Sequence, residues 1–201
     1  MLTTRTALFA ALSVAAALTL SSCAGGSPAE SLPSASSETA AGASAFGTAD
    51  ITFAQMMIPH HEQAVEMSDD LLAKDNIEQD VVDLAADIKA AQEPEITQLR
   101  AWLTEWDAEE DTMSGMDHGA DSENSDGMMS AEDMTMLQDA SGTEASRLFL
   151  QQMTLHHEGA VAMAQLEIDE GDNADAVALA TAIVTTQTAE IAVMADLLET
   201  L

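Results

Sequence analysis

The hydrophobic pattern predicts four long helices. Phe53, Met57, His60, Ala64, Met67 and Leu71 are spaced four, three, four, three and four apart, on one face of a helix running from 50 to about 74. Asp50 stands at the expected N-cap, and Pro59 predicts a kink or a local start inside the helix. The pair Asp75 and Asn76 breaks the pattern and caps a second helix, whose row Ile77, Val81, Leu84, Ile88, Ile96, Leu99 and Trp102 reaches Trp106. Pro94 predicts a second kink. Phe149, Met153, His156, Ala160 and Met163 define a third long helix, capped by Ser141 or Thr143 and ending near Glu170. Gly171, Asp172 and Asn173 form a turn into the last, which reaches the C-terminus, and residues 130–140 fit an additional short helix. Two hairpins with similar faces predict an all-α, four-helix bundle.

The hairpins also repeat in wording. Residues 53–67, FAQMMIPHHEQAVEM, return as residues 149–163, FLQQMTLHHEGAVAM, identical at nine of fifteen positions at an offset of 96. His60 and His156 fall on the apolar stripe, while His61 and His157 sit about 100° round the helix, within reach of Met57 and Met153 at i−4. Buried imidazoles need partners for both ring nitrogens, either side chains or a metal. The second helix of each hairpin has a polar residue in its apolar row, in the shared pattern Gln92-x-x-Glu95-Ile96 and Gln187-x-x-Glu190-Ile191. Polar groups at matching core positions pair with one another, so these four are expected to face the histidines.

The N-terminus changes the picture of where this bundle works. Arg5 precedes an apolar run at 7–20, the length of a signal-peptide core and short of a membrane span. The run ends in Leu-Ser-Ser-Cys, which resembles a bacterial lipobox and marks Cys23 as the lipid attachment site. The alternative is an ordinary secretory signal with a stray Cys, but Cys23 is the only Cys in the chain and stands where a lipobox requires it. Residues 1–22 are therefore read as a lipoprotein signal peptide and 23–49, rich in Ser, Ala, Gly and Pro, as a flexible tether. The domain spans 50–201: a first hairpin at 50–106, an acidic Met-rich loop at 107–141 and a second hairpin at 142–201. The expected location is the outer face of a bacterial cell membrane.

Formal charge is −31, and −32 once Arg5 leaves with the signal. So acidic a chain is a poor partner for nucleic acid or anionic lipid, whose phosphates call for Lys and Arg, and it concentrates cations. Thioether and imidazole together suit copper, Cu(I) or Cu(II), better than zinc, calcium or magnesium. The loop carries the same donors in Met113, Met116 and His118. Methionine is also a common core filler, and for Met57, Met67, Met153 and Met163 taken alone packing is the stronger explanation.

The MMIPHHEQAVEM and LHHEGAVAMA segments and the QxxEI helices resemble the bacterial domain-of-unknown-function family 305, from about residue 50 to the C-terminus. The resemblance implies a ferritin-like four-helix bundle, usually exported, in a family that includes CopM-like copper-binding proteins. By motif position it implies Met57, His60, His61, Met67, Met153, His156, His157 and Met163 as ligands. The differences Ile58/Thr154 and Pro59/Leu155 imply unequal binding by the two halves.

The rival is a ferritin-like di-iron or di-manganese oxidase, which needs carboxylates and Glu-x-x-His pairs. No Glu stands three residues before any His here; those positions are Met57, Ile58, Gly115, Met153 and Thr154. Glu62, Glu158, Glu95 and Glu190 keep that rival open as carboxylate donors. A third reading makes His-His-Glu a buried hydrogen-bond network in an interaction module. The reading adopted is a non-enzymatic copper sequestering or chaperone lipoprotein without organic cofactor, whose loop captures the ion and whose bundle holds it. A copper-transfer partner leaves no trace in the sequence.

Overall fold

Five helices make up the regular structure of the computed structural model, which describes residues 45–110 and 127–201. They are α1 (Thr48–Leu72), α2 (Gln79–Glu105), the short α3 (Ala131–Asp139), α4 (Gly142–Glu170) and α5 (Ala174–Thr200). The long four are the predicted ones, paired as α1 with α2 and α4 with α5, and α1 and α4 join the hairpins to each other. The short helix expected at 130–140 is α3, capped by the Ser130 hydroxyl on the Asp133 amide, and it packs against α1 and α4. Cys23, Met113, Met116 and His118 lie outside the described residues.

Helix ends depart from expectation where tertiary contacts recruit the capping residues. The α1 N-cap is Gly47; Asp50 sits one turn inside the helix and is fully buried. Its carboxylate accepts N–H bonds from Gly47 at 2.6 Å, Asn173 at 2.8 Å and Asp172 at 3.2 Å, tying α1 to the α4–α5 turn. Asn76 adopts a left-handed φ of 60° in the α1–α2 link, and Glu78 rather than Asp75 or Asn76 is the α2 N-cap. Glu78 accepts the Ser146 and Thr143 hydroxyls of α4, so Thr143 bridges helices, and Ser141, the other expected cap, is the α4 N-cap. α1 and α2 run on without a break through Pro59 and Pro94, so there is no local start at Pro59. Buried neighbours on both sides of each proline (Ile58 and His60, Gln92 and Ile96) hold the helix where one backbone bond is lost.

The interior is layered. One apolar cluster takes Phe53, Met57 and Ile58 of α1, Ile96 to Trp102 of α2, Ala160 and Met163 of α4, and Ile183 of α5. The other takes Ala64 and Met67, Leu84 and Ile88, Phe149 and Met153, and Met194. Between them every long helix contributes a buried polar position: His60 and His61, Gln92, His156 and His157, and Gln187. α5 is long and apolar enough by composition to cross a membrane, with mean hydropathy 1.5 over its most apolar window. Here it packs along α4 in the bundle.

Candidate metal centre

Helical phase puts the histidines in the polar layer. α1 runs from the first cluster to the second and α4 from the second to the first, so the repeats meet head to tail. Equivalent residues then face one another across a pseudo-twofold axis. His60 and His156 meet there with ring centroids 3.7 Å apart and planes tilted by 39°. The two histidine pairs form one contiguous layer.

His61 and His157 turn toward their own hairpin partners. His61 Nε2 lies 2.8 Å from Glu95 Oε2, and His157 Nε2 lies 2.7 Å from Glu190 Oε2. A carboxylate only accepts, so Nε2 carries a proton, and in the neutral ring Nδ1 keeps its lone pair. Both Nδ1 atoms are buried and without a hydrogen bond, as are both ring nitrogens of His156. Burial, reinforced by His60 and then by His157 and His61, pushes the His156 pKa well below the usual histidine value, so its imidazole is neutral. The buried carboxamides of Gln92 and Gln187 complete the layer.

Methionine flanks the layer on both sides. Met57 and Met163 belong to the first cluster, Met67 and Met153 to the second, so each repeat sends one sulfur to each side. Glu62 and Glu158 do not join them. Both are exposed, and Glu62 pairs with Arg100 at 2.5 Å. Among the described residues no three His, Cys, Asp or Glu side chains converge as a ready cage for a metal.

The donor set includes the nitrogen and sulfur donors that a soft ion takes. Unpartnered imidazole lone pairs in a layer flanked by methionine-bearing clusters suit Cu(I) or Ag(I), and the two inward carboxylates, Glu95 and Glu190, are engaged by His61 and His157. The carboxylate-histidine pairs are the outer contacts that fix a ligating imidazole's tautomer and raise its basicity. His61, His157 and His156, with the flanking methionines, are the residues that would hold such an ion.

Sequence spacing anticipated the placement of Glu95 and Glu190 against the histidines. It did not anticipate a second buried acid. Glu167 of α4 is 1% exposed and faces Asp50 at the end of the bundle. Burial, then the Asp50 carboxylate, raises its pKa to about 8. Burial opposes charge on Asp50 too, but the Gly47, Asn173 and Asp172 amides and the Glu167 carboxyl outweigh it and hold Asp50 below the usual carboxylate range.

Such a duplicated helical hairpin, closed around a histidine-carboxylate layer, defines a class of four-helix protein. The chain belongs to the DUF305 family, a domain of unknown function whose profile it matches over residues 50–198. A DUF305 fragment from Deinococcus radiodurans is similar in structure at a TM-score of 0.69 and 30% identity, covering 78% of this chain and 99% of its own. A DUF305 protein from Streptomyces coelicolor, described as a candidate secreted protein, is similar at 0.66 and 34% identity, covering 75% and 91%. CopM in its Cu(II)-bound form is similar at 0.64 and 29% identity, covering 75% and 96%. CopM has also been solved with Cu(I) and with Ag bound. No curated protein matches the chain.

Proposed function

We propose that this protein is an exported, lipid-anchored copper-binding protein that sequesters the ion or passes it on, without catalysing a reaction. One observation carries the reading: His61 Nδ1 and His157 Nδ1, whose rings are fixed by Glu95 and Glu190, lie buried and unpartnered in a layer flanked by two methionine-bearing clusters. Lone pairs left so are costly unless something binds them. Similarity to CopM, solved with Cu(I), Cu(II) and Ag, supports the choice of ion. Outward-facing Glu62 and Glu158 weigh against the di-iron alternative. Export and anchoring rest on the 7–20 apolar run and on Cys23, and the description of the Streptomyces relative agrees with export. The Met113, Met116 and His118 loop is the capture segment in this account.

The test is metal retention and thermal melting of residues 24–201, loaded separately with Cu(I), Cu(II), Zn(II) and Fe(II). A variant with His60, His61, His156 and His157 all changed to Ala serves as comparison. Copper retained by the parent, raising its Tm, and lost by the variant supports the reading. Iron taken up in preference to copper, or no metal at all, contradicts it.

A further inference from the structure

The two repeats diverge directly after His-His-Glu, where Gln63 in α1 answers to Gly159 in α4. Both of these positions grip the same short segment, residues 127–129, which belongs to neither repeat. The Gln63 carboxamide clamps the backbone of Met129 in both directions, accepting its N–H at 2.6 Å and donating to its carbonyl at 2.9 Å. On the other side Gly127, at φ 76°, lies flat on α4. A Cβ there would stand 2.7 Å from the Leu155 carbonyl oxygen and 2.8 Å from Gly159 Cα. The segment therefore crosses from α1 to α4 at the turns that carry the histidines. Gln63 lies two residues past His61, about 3 Å further along the helix axis. Gly127 rests on the turn containing His156 and His157.

Met129, held this way, is buried at 6% exposure in the second cluster with Met67 and Met153. A core filler needs no two-way clamp on its backbone. The clamp fixes the Met129 backbone at Gln63, two residues past His61, and so brings a thioether into the second cluster from outside the repeat. We propose that Met129 is a further sulfur ligand of the histidine layer, that Gln63 positions it, and that the ion consequently lies on the side of the layer facing the second cluster. This rests on the copper reading above and adds to it a ligand and a side.

The test uses residues 24–201 loaded with one equivalent of Cu(I). Affinity is measured by competition with a chromophoric chelator, and sulfur coordination by X-ray absorption. Met129→Leu nearly conserves volume and is expected to lower affinity about tenfold, as one lost ligand contact would, with one sulfur fewer in the absorption spectrum. Gln63→Ala keeps every sulfur atom in the chain, and is expected to weaken binding in the same direction and reduce the ordered sulfur count. Met134→Leu, a thioether of the same cluster on α3, is the comparison expected to leave both readouts at parent values. Parent affinity and sulfur count in Met129→Leu overturn the assignment of Met129 while leaving the copper reading standing. A parent protein that binds no Cu(I) overturns the copper reading itself, and this inference with it.

Discussion

The two hairpins agree in the polar layer where they meet and diverge on their outer faces and toward the bundle ends, where buried Asp50 answers to Ser146 and Leu71 to Glu167. His61 with Glu95 and His157 with Glu190 have the same contact within 0.1 Å. Gln92 and Gln187 are both buried, and each repeat places one methionine on either side of the layer. On the outer faces the likeness is weaker. Pro59 is answered by Leu155, which is 50% exposed, and Arg100, bonded to Glu62 and Glu110, is answered by Ala195. The difference separates two kinds of residue. Those on the pseudo-twofold must serve both halves at once, and those on the outer faces need only keep their own helix soluble and in place. Gln63 and Gly159 are the informative exception, unequal because they hold one unduplicated segment.

The largest test of this equivalence removes the repeated phenylalanines, one in each cluster. Phe149 is fully enclosed and Phe53 is 5% exposed. Phe149→Ala should destabilise the metal-free domain by about 3–5 kcal/mol, and Phe53→Ala somewhat less, by chemical denaturation. Near-neutrality in either would mean that its cluster is loosely packed.

Next come the layer carboxylates. Glu95→Ala and Glu190→Ala each strand a buried Nε2–H and free the ring to turn, so each should weaken Cu(I) binding by about 10- to 100-fold. The two variants should match. A large loss from one and none from the other would show that a single hairpin carries the site.

A third test lies at the end of the bundle, where Asp50 ties α1 to the α4–α5 turn and Glu167 faces it. A carboxyl raised from 4.5 to about 8 holds its proton in the fold over a range where the unfolded chain has released it. The unfolded state then binds fewer protons, so this group's contribution to stability falls as pH rises from about 4.5 to about 8 and levels off above. Glu167→Gln should flatten that part of the stability profile and be most favourable, relative to the parent, at the alkaline end. An unchanged slope would place the titration elsewhere.

Much of the architecture was legible because it is written in local periodicity. The 3.6-residue rhythm located all four long helices, and the repeat of His-His-Glu and Gln-x-x-Glu located the polar layer. Sequence spacing could not tell Glu62 from Glu95, since both are acids near histidines and only the packing of α2 on α1 turns one inward. Asp50 does bond the helix start, from N3 onto the Gly47 amide and not from the N-cap position, and the α4–α5 turn binds it too, from more than 120 residues away. Gln63 gave no signal at all. Its partner is the backbone of Met129, and backbone partners leave no pattern in side-chain identities.

The central claim is that both hairpins present buried Nδ1 lone pairs to copper. Long-range proton–nitrogen NMR of the histidine rings, before and after one equivalent of Cu(I), tests it directly. His61 and His157 should both begin as Nε2–H tautomers, and both Nδ1 resonances should move on loading while each Nε2–H stays on its carboxylate. Nδ1 resonances that stay in place, or movement in one hairpin only, would contradict it.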